Sequence, residues 1–311
     1  MTLTGKHILS ASSLSKEEIE EILSVASQME PYANKEKSSE LLKGKVLATL
    51  FFEPSTRTRF SFETAMVRLG GSVISNYMMN KTSSIKKRET LYDTGKVVSR
   101  FADVIAMRHP EAGTVAELAE GSDVPVLNGG DGPADHPTQG LLDVYTIYKK
   151  FGRLDGLTFG MVGDMKFSRV VHAQCELLKH FGKSKFIFVA PKGLRAPREI
   201  VQALETAGHE VVETEDLDSV IGAFDVLSNT RIQEERFESQ EEADQFVGVY
   251  SISNELLTKA KSDMIILDPL PRVGEQLKVE VDDDERAKYF EQITNGVAVR
   301  MALMALVLGR S

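Results

Sequence analysis

Cysteine is almost missing from this chain. Cys175 is the single one in 311 residues, which excludes an internal disulfide and a cysteine-built metal cluster. The six histidines show neither His-x-His nor His-Glu-x-x-His spacing, so no metal site is expected. No apolar run approaches the roughly 20 residues that cross a bilayer. The stretch Met1-Thr2-Leu3-Thr4-Gly5-Lys6 has neither an apolar signal segment nor a cleavage site, so a cytoplasmic protein with no membrane partner is expected. Positive charge is also short: 37 Lys and Arg against 46 Asp and Glu leave a formal net charge of −9, which argues against nucleic acid as a partner. Any anion must be held by local cations working against the global sign. A Gly-x-Gly-x-x-Gly fingerprint is absent after the first strand of either half, which weighs against a dehydrogenase, as the lack of a P-loop does against a nucleotidase.

What is present is a regular alternation of strand and helix. After a helix over 16–29, the first half reads strand 45–52, helix 58–69, strand 72–75, helix 90–101, strand 104–107, helix 114–121 and strand 124–128. The second half repeats the plan, with strands over 157–164, 185–190, 210–213, 225–228 and 264–267 between helices over 169–181, 195–207 and 216–224. A helix over 136–151 stands between the halves, with Pro137 suited to its first position. Such alternation predicts an α/β protein of two doubly wound parallel-sheet domains joined by helices. Cys175 falls in a predicted helix, where it reads as a small buried filler. In open sheets of this kind ligands bind beyond the carboxyl ends of the strands.

The residues at those ends carry the chemistry. Val46 to Phe52 is a near-continuous apolar run, as for a strand buried on both faces, and Pro54 ends it. Ser55, Thr56, Arg57 and Thr58 then open a helix, whose first turn offers unpaired N–H groups and the positive end of the helix dipole. An oxyanion fits there: the hydroxyls add donors, and Arg57 brings a planar fork matched to phosphate. Ser55 could instead serve only as a helix cap. Further along, Arg108 follows the strand over 104–107, and a glycine-rich loop leads to His136-Pro137-Thr138-Gln139. His136 reads either as a helix cap or, with Gln139 on the same helix face and Arg108, as a donor to a carbonyl oxygen gaining charge.

In the second half, Arg169, Arg231 and Arg272 leave three separate strands. Two arginines from separate strand ends suit a ligand with two carboxylates, although each alone could be a surface ion pair. Pro269 and Pro271 remove backbone donors, so nearby carbonyls could accept from a ligand amine, or the segment could simply be a rigid turn.

At these residues the sequence resembles the aspartate/ornithine carbamoyltransferase family, almost end to end, and within it the catalytic chains that use aspartate. The resemblance rests on Phe-Glu-Pro-Ser-Thr-Arg-Thr-Arg-Phe-Ser-Phe-Glu (52–63), Met-Arg-His-Pro (107–110), Asn-Gly-Gly-Asp-Gly (128–132), His-Pro-Thr-Gln (136–139), Val-Gly-Asp-Met-Lys (162–166), Thr-Arg-Ile-Gln-Glu-Glu-Arg-Phe (230–237) and Pro-Leu-Pro-Arg (269–272). Ornithine enzymes typically carry Asp-x-x-x-Ser-Met-Gly and His-Cys-Leu-Pro segments where this chain has Thr230-Arg231-Ile232-Gln233 and Asp268-Pro269-Leu270-Pro271, and an arginine suits an acidic acceptor. The resemblance implies transfer of the carbamoyl group of carbamoyl phosphate to L-aspartate in pyrimidine biosynthesis, with no cofactor and no metal. It implies that Ser55, Thr56, Arg57 and Thr58 bind phosphate, and that Arg108, His136 and Gln139 hold the carbamoyl group. Arg169, Arg231 and Gln233 would bind aspartate, and the Pro269 and Leu270 carbonyls its amine, beside a cis Leu-Pro bond. Ser83 and Lys87, in a polar run that by itself reads as a solvated loop, would complete the site of a neighbouring subunit in a homotrimer.

Residues 1–136 with 291–311 would form a carbamoyl phosphate-binding domain, and 137–290 an aspartate-binding domain. A regulatory chain or a dihydroorotase is a possible further partner. The chain departs from the family at Val170, where a threonine is usual, and at Asp268, where a histidine is usual and where a carboxylate would stand near a dianionic substrate unless it points away. Two alternatives follow: a carbamoyltransferase for another acidic or acylated amino acid, and a non-catalytic assembly subunit, against which the retained cations argue.

Overall fold

The computed structural model describes residues 2–82 and 88–310, the Asn80 side chain aside. The chain divides into two compact units, Met1–Tyr145 with Ile293–Ser311, and Thr146–Gln292. Among the described residues no helix is long and apolar enough to cross a membrane.

In the first unit, α1 (Lys16–Ala33) opens on a capping box: Ser15 Oγ accepts from the Glu18 N–H while Glu18 accepts from the Ser15 N–H at 2.9 Å. There follow β1 (Val46–Phe51), α2 (Thr56–Arg68), β2 (Ser72–Tyr77), α3 (Met79–Thr82), α4 (Leu91–Val98), β3 (Val104–His109), α5 (Thr114–Gly121) and β4 (Val126–Asp131). The four strands are parallel in the order β2-β1-β3-β4. Ala48, Leu50, Ile105, Met107 and Val126 bury one sheet face against Val115 and Leu118 of α5; each large side chain so buried contributes about 1.5–3 kcal/mol. The chain builds outward from β1 to β2, then crosses to β3 on the other side. The strand order therefore reverses between β1 and β3, and the crevice at their carboxyl ends is where a doubly wound sheet binds ligand.

The helix α6 (Pro137–Phe151) leads into the second unit. That unit contains β5 (Thr158–Gly163), α7 (Arg169–Leu178), β6 (Lys185–Val189), α8 (Arg198–Thr206), β7 (Glu210–Thr214), α9 (Leu217–Val220), β8 (Val226–Thr230), α10 (Gln240–Asp244), α11 (Asn254–Leu257) and β9 (Ile265–Leu267). Its five parallel strands run β7-β6-β5-β8-β9, with the reversal between β5 and β8. Val162, Ile187, Val189, Phe224, Leu227 and Ile266 lie in its core. The last helix, α12 (Tyr289–Val307), begins in the second unit and returns to the first.

The α/β class with two parallel sheets agrees with the alternation read from the sequence. Three details differ. The glycine-rich stretch expected as a loop is largely strand: β4 runs through Asn128, Gly129 and Gly130 to Asp131, two residues later at its start than expected. Arg108 and His109 belong to β3, and Asn229 and Thr230 to β8, because parallel pairing continues through Arg108 to β1, through His109 to β4, and through Thr230 to β5. Finally, α12 has no amphipathic pattern to reveal it, since residues such as Val299, Met301, Leu303 and Met304 are fully buried all round.

Candidate active site

The first unit gathers Ser55, Thr56, Arg57, Thr58 and Arg108 at its topological switch. Phe51 pairs with Arg108 across β1 and β3, and the Phe52 N–H donates to the Arg108 carbonyl at 2.9 Å. The chain then turns through Pro54 into α2. Ser55 occupies the cap position with φ −157° and makes no side-chain capping bond, so its hydroxyl is not serving the helix. The first turn of α2 carries no acidic residue, which preserves the positive end of the dipole. Thr58 is buried, whereas Thr56 and Arg57 are exposed.

Arg108 is held before any ligand arrives. Its Nε donates to Glu53 at 2.6 Å and one Nη to the Gly129 carbonyl at 3.3 Å, which fixes the plane of the fork. Gly130 is required for this: at φ +131° it has a conformation other residues rarely adopt, and a Cβ there would sit 3.0 Å from Arg108 Nη1. Gly130 thus lets β4 lie close against the guanidinium.

His136 is buried immediately before α6, with its carbonyl accepting from the N–H groups of Gln139 and Gly140. Its own N–H donates to Asp135, which also accepts from the Ala11 N–H. The Gln139 side-chain amide donates to Asp143 at 2.9 Å. A carboxylate only accepts, so Asp143 takes the NH₂ end and turns the Gln139 oxygen away from itself. The Gln139 side chain therefore presents its oxygen, an acceptor, on the side away from Asp143.

Sequence reading passed over Arg300. It is 2 % exposed on α12, donates to Ser61 of α2 at 3.0 Å, to Thr138 of α6 at 3.2 Å and to the Gly296 carbonyl, and lies over the Phe62 ring. Burial lowers its pKa to about 9, with the Arg108 charge pushing the same way and Asp143 opposing. It remains a cation at neutral pH, bracing α2, which carries Thr58, against the start of α6, which follows His136. No local pattern in the sequence marks it.

The second unit also builds around its switch. Asp164 follows β5, fully buried, and accepts from the Phe167 N–H at 2.9 Å and the Gln233 N–H at 3.1 Å. Burial raises its pKa, and the backbone donors partly counter that. One carboxylate thereby ties the turn before Arg169 to the segment carrying Arg231 and Gln233. Ser168 caps α7 through the Val171 N–H and shares a hydrogen bond with Thr230 at 3.0 Å, so a hydroxyl stands next to the position of Val170. Arg231 is paired: its two Nη atoms engage both oxygens of Glu235, and Nη1 also donates to the Ile232 carbonyl at 3.0 Å. The pairing raises the Arg231 pKa and holds the Glu235 carboxyl below its usual range.

After β9, the Leu270–Pro271 bond is cis, as the resemblance implies, and Leu270 has φ +54°. Asp268 is buried and accepts from the Leu270 N–H at 2.6 Å and the Asn229 amide at 2.7 Å. Arg272 forms a two-pronged pair with Asp282. The structure brings Ser55, Thr56, Arg57, Thr58 and Arg108 together in one unit, and Arg169, Arg231, Gln233, Pro269 and Leu270 at the strand ends of the other. Ser83 and Lys87 lie outside the described residues. Among the described residues no cluster of three or more His, Cys, Asp or Glu could hold a metal ion. Cys175 is buried, which pushes its thiol pKa far up.

Comparison with known proteins matches both units. Residues 6–149 match the aspartate/ornithine carbamoyltransferase carbamoyl-P binding domain, and residues 155–307 the Asp/Orn binding domain of the same name. A relative from Thermococcus kodakarensis, named aspartate carbamoyltransferase catalytic subunit, is 47% identical over 309 residues, 99% of each chain. Aspartate transcarbamoylase from Trypanosoma cruzi, crystallised with carbamoyl phosphate, superposes with a TM-score of 0.92 at 37% identity, covering 99% of this chain and 98% of that one. The same protein with carbamoyl aspartate and phosphate gives 0.92 at 38% identity, covering 99% and 97%.

Proposed function

Because the chain belongs to the aspartate/ornithine carbamoyltransferase family, we infer that it transfers the carbamoyl group of carbamoyl phosphate to the amine of L-aspartate. The products are N-carbamoyl-L-aspartate and phosphate, a step of pyrimidine biosynthesis. The observation that carries the choice of acceptor is Arg231 just after β8, in a segment that Asp164 ties through the Gln233 N–H to the turn before Arg169. Two arginines that follow the strands of one switch point suit a dicarboxylate and would repel a cationic acceptor.

The roles are those that the family resemblance implies, and the geometry of the two strand-end clusters supports them. The start of α2, with Ser55, Thr56, Arg57 and Thr58, takes the phosphate oxygens. Arg108 and His136 donate to the carbamoyl oxygen, and the Gln139 oxygen accepts from the carbamoyl amine. Arg169, Arg231 and Gln233 bind aspartate, and the Pro269 and Leu270 carbonyls accept from its amine. The neutral amine attacks the carbonyl carbon, a C–N bond forms, the C–O bond to phosphate breaks, and the amine proton leaves with the phosphate. Charge grows first on the carbonyl oxygen and then on the leaving group, where fixed cationic donors are worth about 3 kcal/mol each. No cofactor is needed. The unit Met1–Tyr145 with Ile293–Ser311, which reaches past the expected boundary at residue 136 to include Gln139, serves the first substrate, and Thr146–Gln292 the second.

The same reading makes the enzyme a cytoplasmic homotrimer with shared sites, in which Ser83 and Lys87 of one subunit serve its neighbour. Exposed apolar side chains support a contact between copies: Phe60, Val67, Ile74, Tyr77, Val97 and Phe101 are all exposed, and Ile74 and Tyr77 lie on the edge strand β2. The words "catalytic subunit" in the relatives' names support a further partner, a regulatory chain or a dihydroorotase.

The test is an acceptor panel with carbamoyl phosphate, comparing L-aspartate with L-ornithine, L-glutamate and N-acyl amino acids by formation of the ureido product. L-aspartate is expected to react. No product from it, with turnover of another acceptor, would overturn the assignment. For the shared site, mixing inactive Lys87→Ala with inactive Arg57→Ala subunits is expected to restore activity, and a mixture that stays dead rejects it.

A further inference from the structure

We propose that Asp268 is the positioning residue for the acceptor amine, setting the Pro269 and Leu270 carbonyls rather than touching substrate itself. The inference rests on the aspartate reading above. Its starting point is a carboxylate that stands where a dianionic substrate would be expected to tolerate none. The structure places that carboxylate inside the protein, 5 % exposed, with its charge taken up by protein donors. Oδ1 accepts from the Leu270 N–H at 2.6 Å and Oδ2 from the Asn229 side-chain amide at 2.7 Å. The Asp268 N–H donates to the Gln292 side chain at 3.2 Å, and the positive charge of Arg272 lies close enough to interact with the carboxylate. Asp268 thus faces donors, not the ligand.

A side-chain oxygen bonded to the N–H two residues on is an Asx-turn, which folds the intervening residue into a fixed bend. Here the bend carries Pro269, and the residue it captures is Leu270. Leu270 stands at φ +54°, a region that a leucine leaves unless something holds it. The hydrogen bond to Asp268 is that restraint. Asn229 supplies the second anchor from the end of β8, one residue before Thr230 in the strand next to β9. The turn is therefore referenced to the same sheet that positions Arg231. Because Pro269 and Pro271 donate no N–H, the side chain of Asp268 supplies local hydrogen bonding that backbone in this segment lacks. A change at Asp268 should consequently act on recognition of the amine and leave recognition of the carboxylates nearly intact.

Succinate, a dicarboxylate of similar length without the amine, separates the two. Steady-state kinetics of the wild-type enzyme, Asp268→Ala, Asp268→Asn and Asn229→Ala would give the KM for L-aspartate, the KM for carbamoyl phosphate and the inhibition constant of succinate. Asp268→Ala is expected to raise the aspartate KM about tenfold, the loss of one charge-assisted hydrogen bond, with the succinate constant changed by less than about threefold. Asp268→Asn keeps an acceptor oxygen and is expected to restore most of the difference. Asn229→Ala should shift the ratio of the aspartate KM to the succinate constant in the same direction, which decides the matter if Asp268→Ala does not fold. An unchanged ratio in the variants, or equal losses for aspartate and succinate, overturns the proposal while leaving the reaction standing. A wild-type enzyme that makes no N-carbamoyl-L-aspartate rejects the reaction, and this proposal with it.

Discussion

Arg108 Nε donates to Glu53 Oε1 at 2.6 Å, joining the next-to-last residue of one buried strand to the segment that follows its neighbour. The pair is mostly shielded, with side chains 15% and 29% exposed, so the contact orients the guanidinium where water would otherwise compete for it. Arg108 arrives at the ligand as half of a fixed assembly, with β1 supplying the anchor.

Removing that anchor should cost positioning and leave the charge in place. Glu53→Ala is expected to raise the KM for carbamoyl phosphate and lower kcat/KM by about tenfold to a hundredfold, the range for a hydrogen bond to a charged group. Isotope-dilution or colorimetric assays across carbamoyl phosphate concentrations would show it. Unchanged kinetics would mean that Arg108 needs no orienting partner.

Gly130→Ala tests the other side of the same guanidinium. The added methyl meets Arg108 Nη1 at 3.0 Å and must also accept φ +131°. A loss of about 1–3 kcal/mol in stability is expected from the backbone alone, together with weaker carbamoyl phosphate binding. Urea denaturation and ligand titration on the same preparation separate the two effects, and a variant with wild-type values in both would refute the packing argument.

Arg231→Ala should fall on the second substrate. Aspartate affinity is expected to drop by about a hundredfold or more, as for loss of a bidentate carboxylate clamp, while carbamoyl phosphate binds as before. Calorimetric titration of each substrate measures this directly. Equal weakening of both would point to a folding defect.

Acid stability follows from the carboxylates beside arginines. Arg272 holds the Asp282 carboxyl below its usual range, and Arg286 does the same for Asp284. A depressed carboxylate pKa stabilises the fold at pH above the ordinary value of about 3.9, and that stabilisation is lost as pH falls through the lowered value. Asp164 carries the opposite sign: burial raises its pKa, so its contribution is present when it is protonated and is lost as pH rises through the raised value. Thermal melts below about pH 4 should therefore decline, and Asp282→Asn should flatten that decline. An identical acid limb in the variant would rule out the pair as a source.

The buried strands were legible because Val46 to Phe51 is apolar but for Thr49, and the start of α2 as a candidate site because hydroxyls and arginines follow it directly. β4 was misplaced because glycine weakens every strand signal, and here Gly130 answers to the close approach of Arg108 and not to a turn. Arg231 could be recognised as a cation but not as one already paired with Glu235, since that pairing depends on the path of the chain after β8. Asp268 looked like an intrusion because its partners, Asn229 and the Leu270 N–H, meet only in three dimensions.

The Arg300–Ser61 hydrogen bond spans 239 positions, and that separation has a bearing on how the protein is made. Synthesis delivers the helix holding Ser61 well before Arg300, with all of Thr146–Gln292 emerging between them. The second unit can fold on the ribosome as one continuous piece. The first must keep α2 waiting, with Phe62 and Thr138 uncapped, until the returning helix supplies the guanidinium. Nascent chains arrested before residue 300 are expected to protect the later unit from protease while the earlier one is still being cut.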